Sequence, residues 1–186
     1  MNFRNDFCAK CGNKTDSVIP EGDHAPRDVC TVCGHIHYVN PKLITGAIPI
    51  HEGKVLMCKR DIEPRRGYWT LPAGFMEMNE TTAQGAARET FEESEAKLKN
   101  MHFYATVDLP HISQVYVFYR AELDGDYFTT TPESSEVKLY DLDQIPWDEL
   151  AFPVVKWVLE KYIDDSRNNV FLPAHHIIDK PLKPKA

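Results

Sequence analysis

Four of the five cysteines stand in two pairs, Cys8-x-x-Cys11 and Cys30-x-x-Cys33, with eighteen residues between them. Two thiolates three residues apart converge on one ion, and two such pairs complete a tetrahedral set, so the spacing belongs to a structural zinc site rather than to disulfides. Gly12 and Gly34 follow the second cysteine of each pair, which suits a tight knuckle whose amides point at sulfur. Residues 1–38, which carry this pattern, are too short and polar to hold a core without the ion, and zinc is then part of their folding free energy. The remainder of the 186-residue chain is long enough for one sizeable core. Cys58 lies in an apolar segment and reads as a buried small hydrophobe.

Charge narrows the classes of partner. The formal net charge is −7 and the pI about 5.6, against a broad nucleic-acid or anionic-membrane surface, which needs a basic face. In the cysteine unit, Arg4, Lys10, Lys14 and Arg27 nearly cancel Asp6, Asp16, Glu21, Asp23 and Asp28. The expected partner is a small molecule, with no nucleic acid and no membrane. No run of about 18 apolar residues occurs, and MNFRNDFCAK has no signal-like apolar stretch, so a cytoplasmic location is expected.

After Asn40-Pro41, LITGAIPI and KVLMCKR flank His51-Glu52-Gly53 and predict a β-hairpin. RDIEPRRGYW reads as a basic loop. KLKNMHFYATVDL and SQVYVFYRAEL are β-rich on either side of a turn at Pro110-His111, and SEVKLYDL is a shorter strand. Phe152 to about Ile163 reads as a helix packed on the sheet, and residues 166–186 as a tail. The expected layout is a ribbon at 1–38, a catalytic domain at 39–165 and that tail. Strands around helices predict an α/β fold, a mixed sheet sandwiched between helices.

Residues 74–96 place six acidic side chains in 23 residues, balanced by Arg88 alone. Thr81 with Gln84 has the form of a capping box, which predicts a helix from this point. Ala83, Ala86, Ala87, Thr90, Phe91 and Ser94 then form a core-facing stripe, and Glu89, Glu92 and Glu93 share the opposite face in an i, i+3, i+4 relation. Gly85, one turn below Glu89, is expected to leave an open floor beside the carboxylates. Hard oxygen ligands of this kind suit Mg²⁺ or Mn²⁺, which reach proteins through a few carboxylates and substrate phosphates.

Gly74, Glu80 and the run Arg88-Glu89-Thr90-Phe91-Glu92-Glu93 resemble the Nudix box, G-x5-E-x7-R-E-U-x-E-E-x-G-U with U apolar. Thr90 replaces the usual aliphatic residue, and Glu95 stands where the box has glycine. The ribbon, NPK, GYWTLPAGFME, PHISQVY and IPWDELAFPVV extend the likeness to zinc-ribbon Nudix hydrolases that include FAD and ADP-ribose pyrophosphatases. NADH pyrophosphatases share ribbon and box, but the proline- and serine-rich motif that follows their box is not present. The resemblance implies a Nudix-type α/β/α sandwich, hydrolysis of a diphosphate bridge with release of AMP from FAD, ADP-ribose or NADH, and compatibility with a homodimer. It implies Mg²⁺ held by Glu89, Glu92, Glu93 and the Gly74 carbonyl, with Arg88 orienting Glu80 through a bidentate pair. Glu136 takes the position of the distal general base, with Glu133 as the near alternative. Arg60, Arg65 and Arg66 are candidates for phosphate oxygens, and Trp69, Phe103 and Tyr116 for stacking on a base. Two other outcomes stay open: a ribbon-based binding module on a vestigial Nudix scaffold, and a pyrophosphohydrolase that clears damaged nucleoside triphosphates.

Overall fold

The computed structural model describes residues 4–179, which fall into two compact units divided after Pro41. Residues 180–186 of the expected tail lie outside the described residues.

In the first unit, β1 (Thr15–Val18), β2 (Arg27–Cys30) and β3 (Ile36–His37) form an antiparallel sheet in the order β1-β2-β3. It buries little apolar surface; Cys8 and Cys30 are its buried apolar side chains. The knuckles form as the glycines predict, with Gly12 N–H donating to the Cys8 carbonyl at 2.8 Å and Gly34 N–H to the Cys30 carbonyl at 3.1 Å. Amides of Lys10, Val32 and Cys33 lie 3.4 to 3.5 Å from Cys8 or Cys30 sulfur.

The second unit is built on a mixed eight-stranded sheet. β4 (Lys42–His51) and β5 (Lys54–Arg60) make the expected hairpin, closed by Glu52 and Gly53, both at positive φ. The short strands β6 (Trp69–Thr70) and β7 (Ala73–Phe75) follow, and then helix α1 (Thr82–Ser94). β8 (Leu98–Leu109), β9 (Gln114–Leu123), β10 (Ser134–Tyr140), helix α2 (Pro153–Asn168) and β11 (Ala174–Ile177) complete the unit. The order is β10-β5-β4-β9-β8-β11, with β6 on β5 and β7 on β4; β4/β9 and β8/β11 are parallel. Strand alternation feeds two helix-facing cores. Ile48, Val55 and Met57 pack with Val154, Val155, Val158 and Leu159 of α2. Leu56, one residue out of phase, packs with Ala96 and Leu123 beyond the end of α1. The second unit is thus an α/β/α sandwich.

Two elements differ from expectation. α2 continues through Asn168, with Asn169 in the left-handed conformation as its cap. The segment after it returns as edge strand β11, whose backbone pairs Ala174↔Ala105 to Ile177↔Asp108. An exposed, short, His-bearing strand carries little hydrophobic periodicity, and pairing to β8 decides its conformation. No helix among the described residues is long and apolar enough to cross a membrane.

Candidate active site

The site begins at the N-terminus of α1, where Gln84 N–H donates to Thr81 Oγ1 at 3.2 Å and Thr81 N–H to Gln84 Oε1 at 2.8 Å. This capping box sets the helical phase for the acidic residues that follow. The buried face is Gly85, Ala86, Glu89, Thr90, Glu93 and Ser94, which corrects the expected stripe. Phe91 points outward at 48 % exposure, and Glu89 and Glu93 turn inward. Thr90 and Ser94 enter the interior by donating their hydroxyls to the Ala86 and Thr90 carbonyls at 2.8 and 2.6 Å, which removes the cost of burying a hydroxyl. The C-terminal cap is Glu95 in the left-handed conformation (φ 56), with its N–H donated to the Phe91 carbonyl.

Two glycines permit the close packing of this helix. A Cβ at Gly74 would collide with the Glu89 carboxylate, so strand β7 lies directly on the first acid. Gly85 offers no open floor: a Cβ there would stand 2.6 Å from Thr45 Oγ1 and 2.7 Å from Glu80 Oε1. It lets α1 rest on β4 instead.

Arg88 organises the carboxylates. Its Nε and Nη2 donate to the two Glu80 oxygens at 3.0 and 2.9 Å, a bidentate fork, and Nη1 donates to both Glu89 and Glu92 at 2.8 Å. Nη2 also donates to the Phe75 carbonyl at 3.0 Å, which fixes the strand beside the helix. The Arg88 hydrogen bonds hold the Glu80 carboxyl down at about 2. Burial acts the other way on Glu93, pushed up to about 8, with the Glu89 charge adding to the shift. Burial also raises Glu89, against the pull of Arg88. Arg88 pairs with Glu80, Glu89 and Glu92, one cation among three carboxylates, and a divalent ion would favour the charged forms of Glu89 and Glu93 against their burial.

These acids open into a cavity of about 790 Å³. Arg60, Arg65, Gly74, Arg88, Glu89, Glu92, Glu93, Tyr116 and Glu133 all line it. Four expected residues do not. Glu136 sits on strand β10 with its carboxylate on Lys59 Nζ at 2.6 Å, whereas Glu133 occupies the turn that faces the site. That turn is tied at both ends: Asp61 N–H donates to the Glu133 carbonyl at 2.8 Å, and Thr131 Oγ1 donates to the Glu93 carbonyl at 3.4 Å. Arg66 is drawn away by Asp61 at 2.7 Å. Trp69 is core, 4 % exposed, edge-on to Tyr140 at 5.1 Å. Phe103 packs on Tyr119 outside the cavity. Cys58 is wholly buried, and that burial pushes its thiol well up, as an inert core residue requires. The cavity also takes His111, Gln114, Phe152 and Ile178. Their positions in sequence carry no periodic signal; the PHISQVY and IPWDELAFPVV runs contain three of them.

In the first unit, the Sγ atoms of Cys8, Cys11, Cys30 and Cys33 all lie within 4.8 Å of one another. A tetrahedral zinc with sulfur at about 2.3 Å requires sulfur pairs about 3.8 Å apart, and the observed pairs include 3.4, 3.5 and 3.8 Å.

The family model described as the NUDIX domain matches residues 41–158, and the Nudix N-terminal zinc-ribbon model matches residues 6–39. The chain belongs to the Nudix hydrolase family. It is 48 % identical to a NUDIX hydrolase from Nitrosomonas europaea of known structure, with a TM-score of 0.91 over 95 % of this chain and 100 % of that one. It is 31 % identical over 148 residues to the NAD-capped RNA hydrolase NudC of Haemophilus influenzae (strain PittGG), covering 77 % of this chain and 52 % of the relative. The chain thus spans about half the length of that curated relative. A bifunctional NMN adenylyltransferase/ADP ribose pyrophosphatase from Francisella tularensis, 20 % identical with a TM-score of 0.57 over 69 % of this chain and 42 % of that one, shares the fold. Beside a relative named as an NAD-capped RNA hydrolase, the expected absence of a nucleic-acid partner is not supported. Low basic charge argues against a broad RNA-binding face, but it does not exclude an RNA whose reactive group is a dinucleotide cap.

Proposed function

We propose that this Nudix protein hydrolyses the diphosphate bridge of a nucleoside diphosphate linked to a second moiety, releasing AMP from FAD, ADP-ribose or NADH. The observation that carries this is the burial of Glu89 and Glu93 in one cavity, with Glu89 against Gly74 and hydrogen-bonded by Arg88. The donor set fits a hard divalent cation: carboxylate oxygens, excess negative charge and a strand backbone within reach.

Glu89, Glu92 and Glu93, with the Gly74 carbonyl, would hold Mg²⁺ or Mn²⁺. Such ions supply charge neutralisation on the phosphoryl oxygens and a more acidic water. The chain's own residues do the rest. Arg88 positions Glu80, Glu89 and Glu92 through its five-donor head. Glu133, fixed at the cavity wall by its tied turn, accepts the proton of the attacking water. Arg60, whose Nε donates to the Pro64 carbonyl at 2.8 Å, and Arg65 present cations to the departing phosphates. In the first unit, zinc on Cys8, Cys11, Cys30 and Cys33 has a structural role.

The test is a panel of FAD, ADP-ribose, NADH, an NAD-capped RNA oligomer and nucleoside triphosphates with and without Mg²⁺, with the products identified. AMP release, or its capped-RNA counterpart, that depends on Mg²⁺ is the expected result. Pyrophosphate release from nucleoside triphosphates instead would assign the site to triphosphate clearance. No turnover of any substrate would favour a binding module on a Nudix scaffold. Glu133→Gln should lower kcat by at least about 100-fold, whereas Glu136→Gln should leave it unchanged; the reverse pattern would return the base to Glu136.

A further inference from the structure

Part of the same cavity is lined by residues to which the diphosphate chemistry gives no role, and Arg60 reaches this part, its guanidinium 5.2 Å from the Phe152 ring. Leu109, Ile112, Phe152 and Ile178 line it with apolar groups, and His111, Gln114 and Tyr116 add the polar ones. Ile178 follows directly on β11, and this segment is clasped at several points. Ile178 N–H donates to the Asp108 carbonyl at 2.9 Å, His175 Nε2 lies 2.9 Å from Asp108 Oδ2, and His176 stacks on Trp157 at 4.5 Å.

The hydrogen bonds assign roles to the polar atoms. His111 Nδ1 lies 3.1 Å from the Ile178 carbonyl oxygen. A carbonyl only accepts, so Nδ1 carries the hydrogen, and in the neutral ring Nε2 is left as an acceptor. The Tyr116 hydroxyl donates to Gln114 Oε1 at 3.3 Å, which leaves the Gln114 amide nitrogen as a donor. One acceptor and one donor among apolar walls complement a flat ring with an N–H beside an acceptor atom. A bare sugar would leave several hydroxyls against Leu109, Ile112 and Ile178, each at a desolvation cost.

We infer that His111 and Gln114, held by the C-terminal strand and Tyr116, form a subsite that reads the donor–acceptor edge of a planar heteroaromatic ring on the substrate. This rests on the proposed hydrolysis and names what the enzyme requires beyond the diphosphate: a base, a flavin or a nicotinamide. Three sources of such a ring are separable because FAD, NADH and ADP-ribose share adenosine and differ in the other half.

Two variants of the full chain test it. His111→Asn keeps a donor for the Ile178 carbonyl and removes Nε2; Gln114→Leu keeps shape and removes the amide. Loss of one hydrogen bond predicts a rise in KM of about tenfold with kcat within about threefold. A rise for all three substrates places adenine in the subsite; a rise for FAD alone places the flavin there, and for NADH alone the nicotinamide. Unchanged KM for all three in both variants overturns the inference, as does a fall in kcat at constant KM. If the unmodified protein turns over none of the three, the hydrolytic reading fails separately. Calorimetric titration of each compound into Glu92→Gln, with and without His111→Asn, then decides the subsite, and equal Kd values with and without the second substitution sink it.

Discussion

The two units of this chain assemble the side chains proposed to hold a cation with opposite physics. In the first unit four sulfurs converge within 4.8 Å on a sheet of three short strands with little apolar core. In the second, carboxylates sit on a helix laid against an eight-stranded sheet that carries two hydrophobic clusters. An ion in the first is a substitute for a core; an ion in the second would only answer charge that the core has already positioned. The comparison teaches that removing an ion should cost structure in one place and chemistry in the other.

The largest test of that contrast is Cys30→Ser. Structural zinc in ribbon-sized units is worth on the order of 10 kcal/mol, so the substitution should release the ion and abolish amide protection across residues 4–41 while the second unit's melting is retained. Metal content and hydrogen exchange read both. A zinc-free unmodified protein with a protected first unit would break the comparison.

Next comes Glu92→Gln. Its carboxylate is half exposed, and its pair with Arg88 is a solvent-screened helix contact, so Tm should stay within about 2 °C. Turnover should fall at least about 100-fold, as loss of a charge aimed at a transition state does. Unaltered turnover would remove Glu92 from the site. Arg88→Lys keeps the charge but loses the fork to Glu80, and a fall in kcat of about 10- to 100-fold is expected from such a supporting contact. Full activity would show that the fork positions nothing.

The smallest effect is a pH profile of stability for the magnesium-free protein. Glu93 is raised from 4.5 to about 8 by burial, so its contribution is fully present below 4.5 and lost as pH rises through about 8. Glu80 is lowered from 4.5 to about 2 by Arg88, so its contribution is present above 4.5 and lost as pH falls toward about 2. Stability should fall on both sides of a maximum in the acid-neutral range, and Mg²⁺ should flatten the alkaline limb. An alkaline limb that persists in Glu93→Gln would refute the assignment.

Much of the active-site helix was legible from local spacing. The capping box at Thr81 and Gln84 starts it, the Arg88–Glu93 run carries the acids, and Arg88 reaches Glu80 as the family resemblance implies. Spacing put the core on the stripe from Ala83 to Ser94 and the glutamates opposite it, whereas the buried face turns Glu89 and Glu93 inward and Phe91 out. Gly74 and the Thr90 and Ser94 hydroxyls, bonded back along the helix, settle that face. Of Glu133 and Glu136, three residues apart, the family resemblance favours Glu136, yet a turn tied to Asp61 and Glu93 places Glu133 at the cavity while Lys59 takes Glu136.

By itself the chain's residue order determined the hairpin and the acidic helix, set by contacts a few residues apart, and the four-thiol unit, whose paired Cys-x-x-Cys spacing is itself the signal. Only the tertiary structure decided that Trp69 is core, that residues 174–177 close the sheet's edge, and that His111 and Gln114 face the same cavity as Glu89. Those choices depend on strands and loops that lie tens of residues apart, and hydrogen bonds such as that of His111 to Ile178 exist only once the sheet has brought them together.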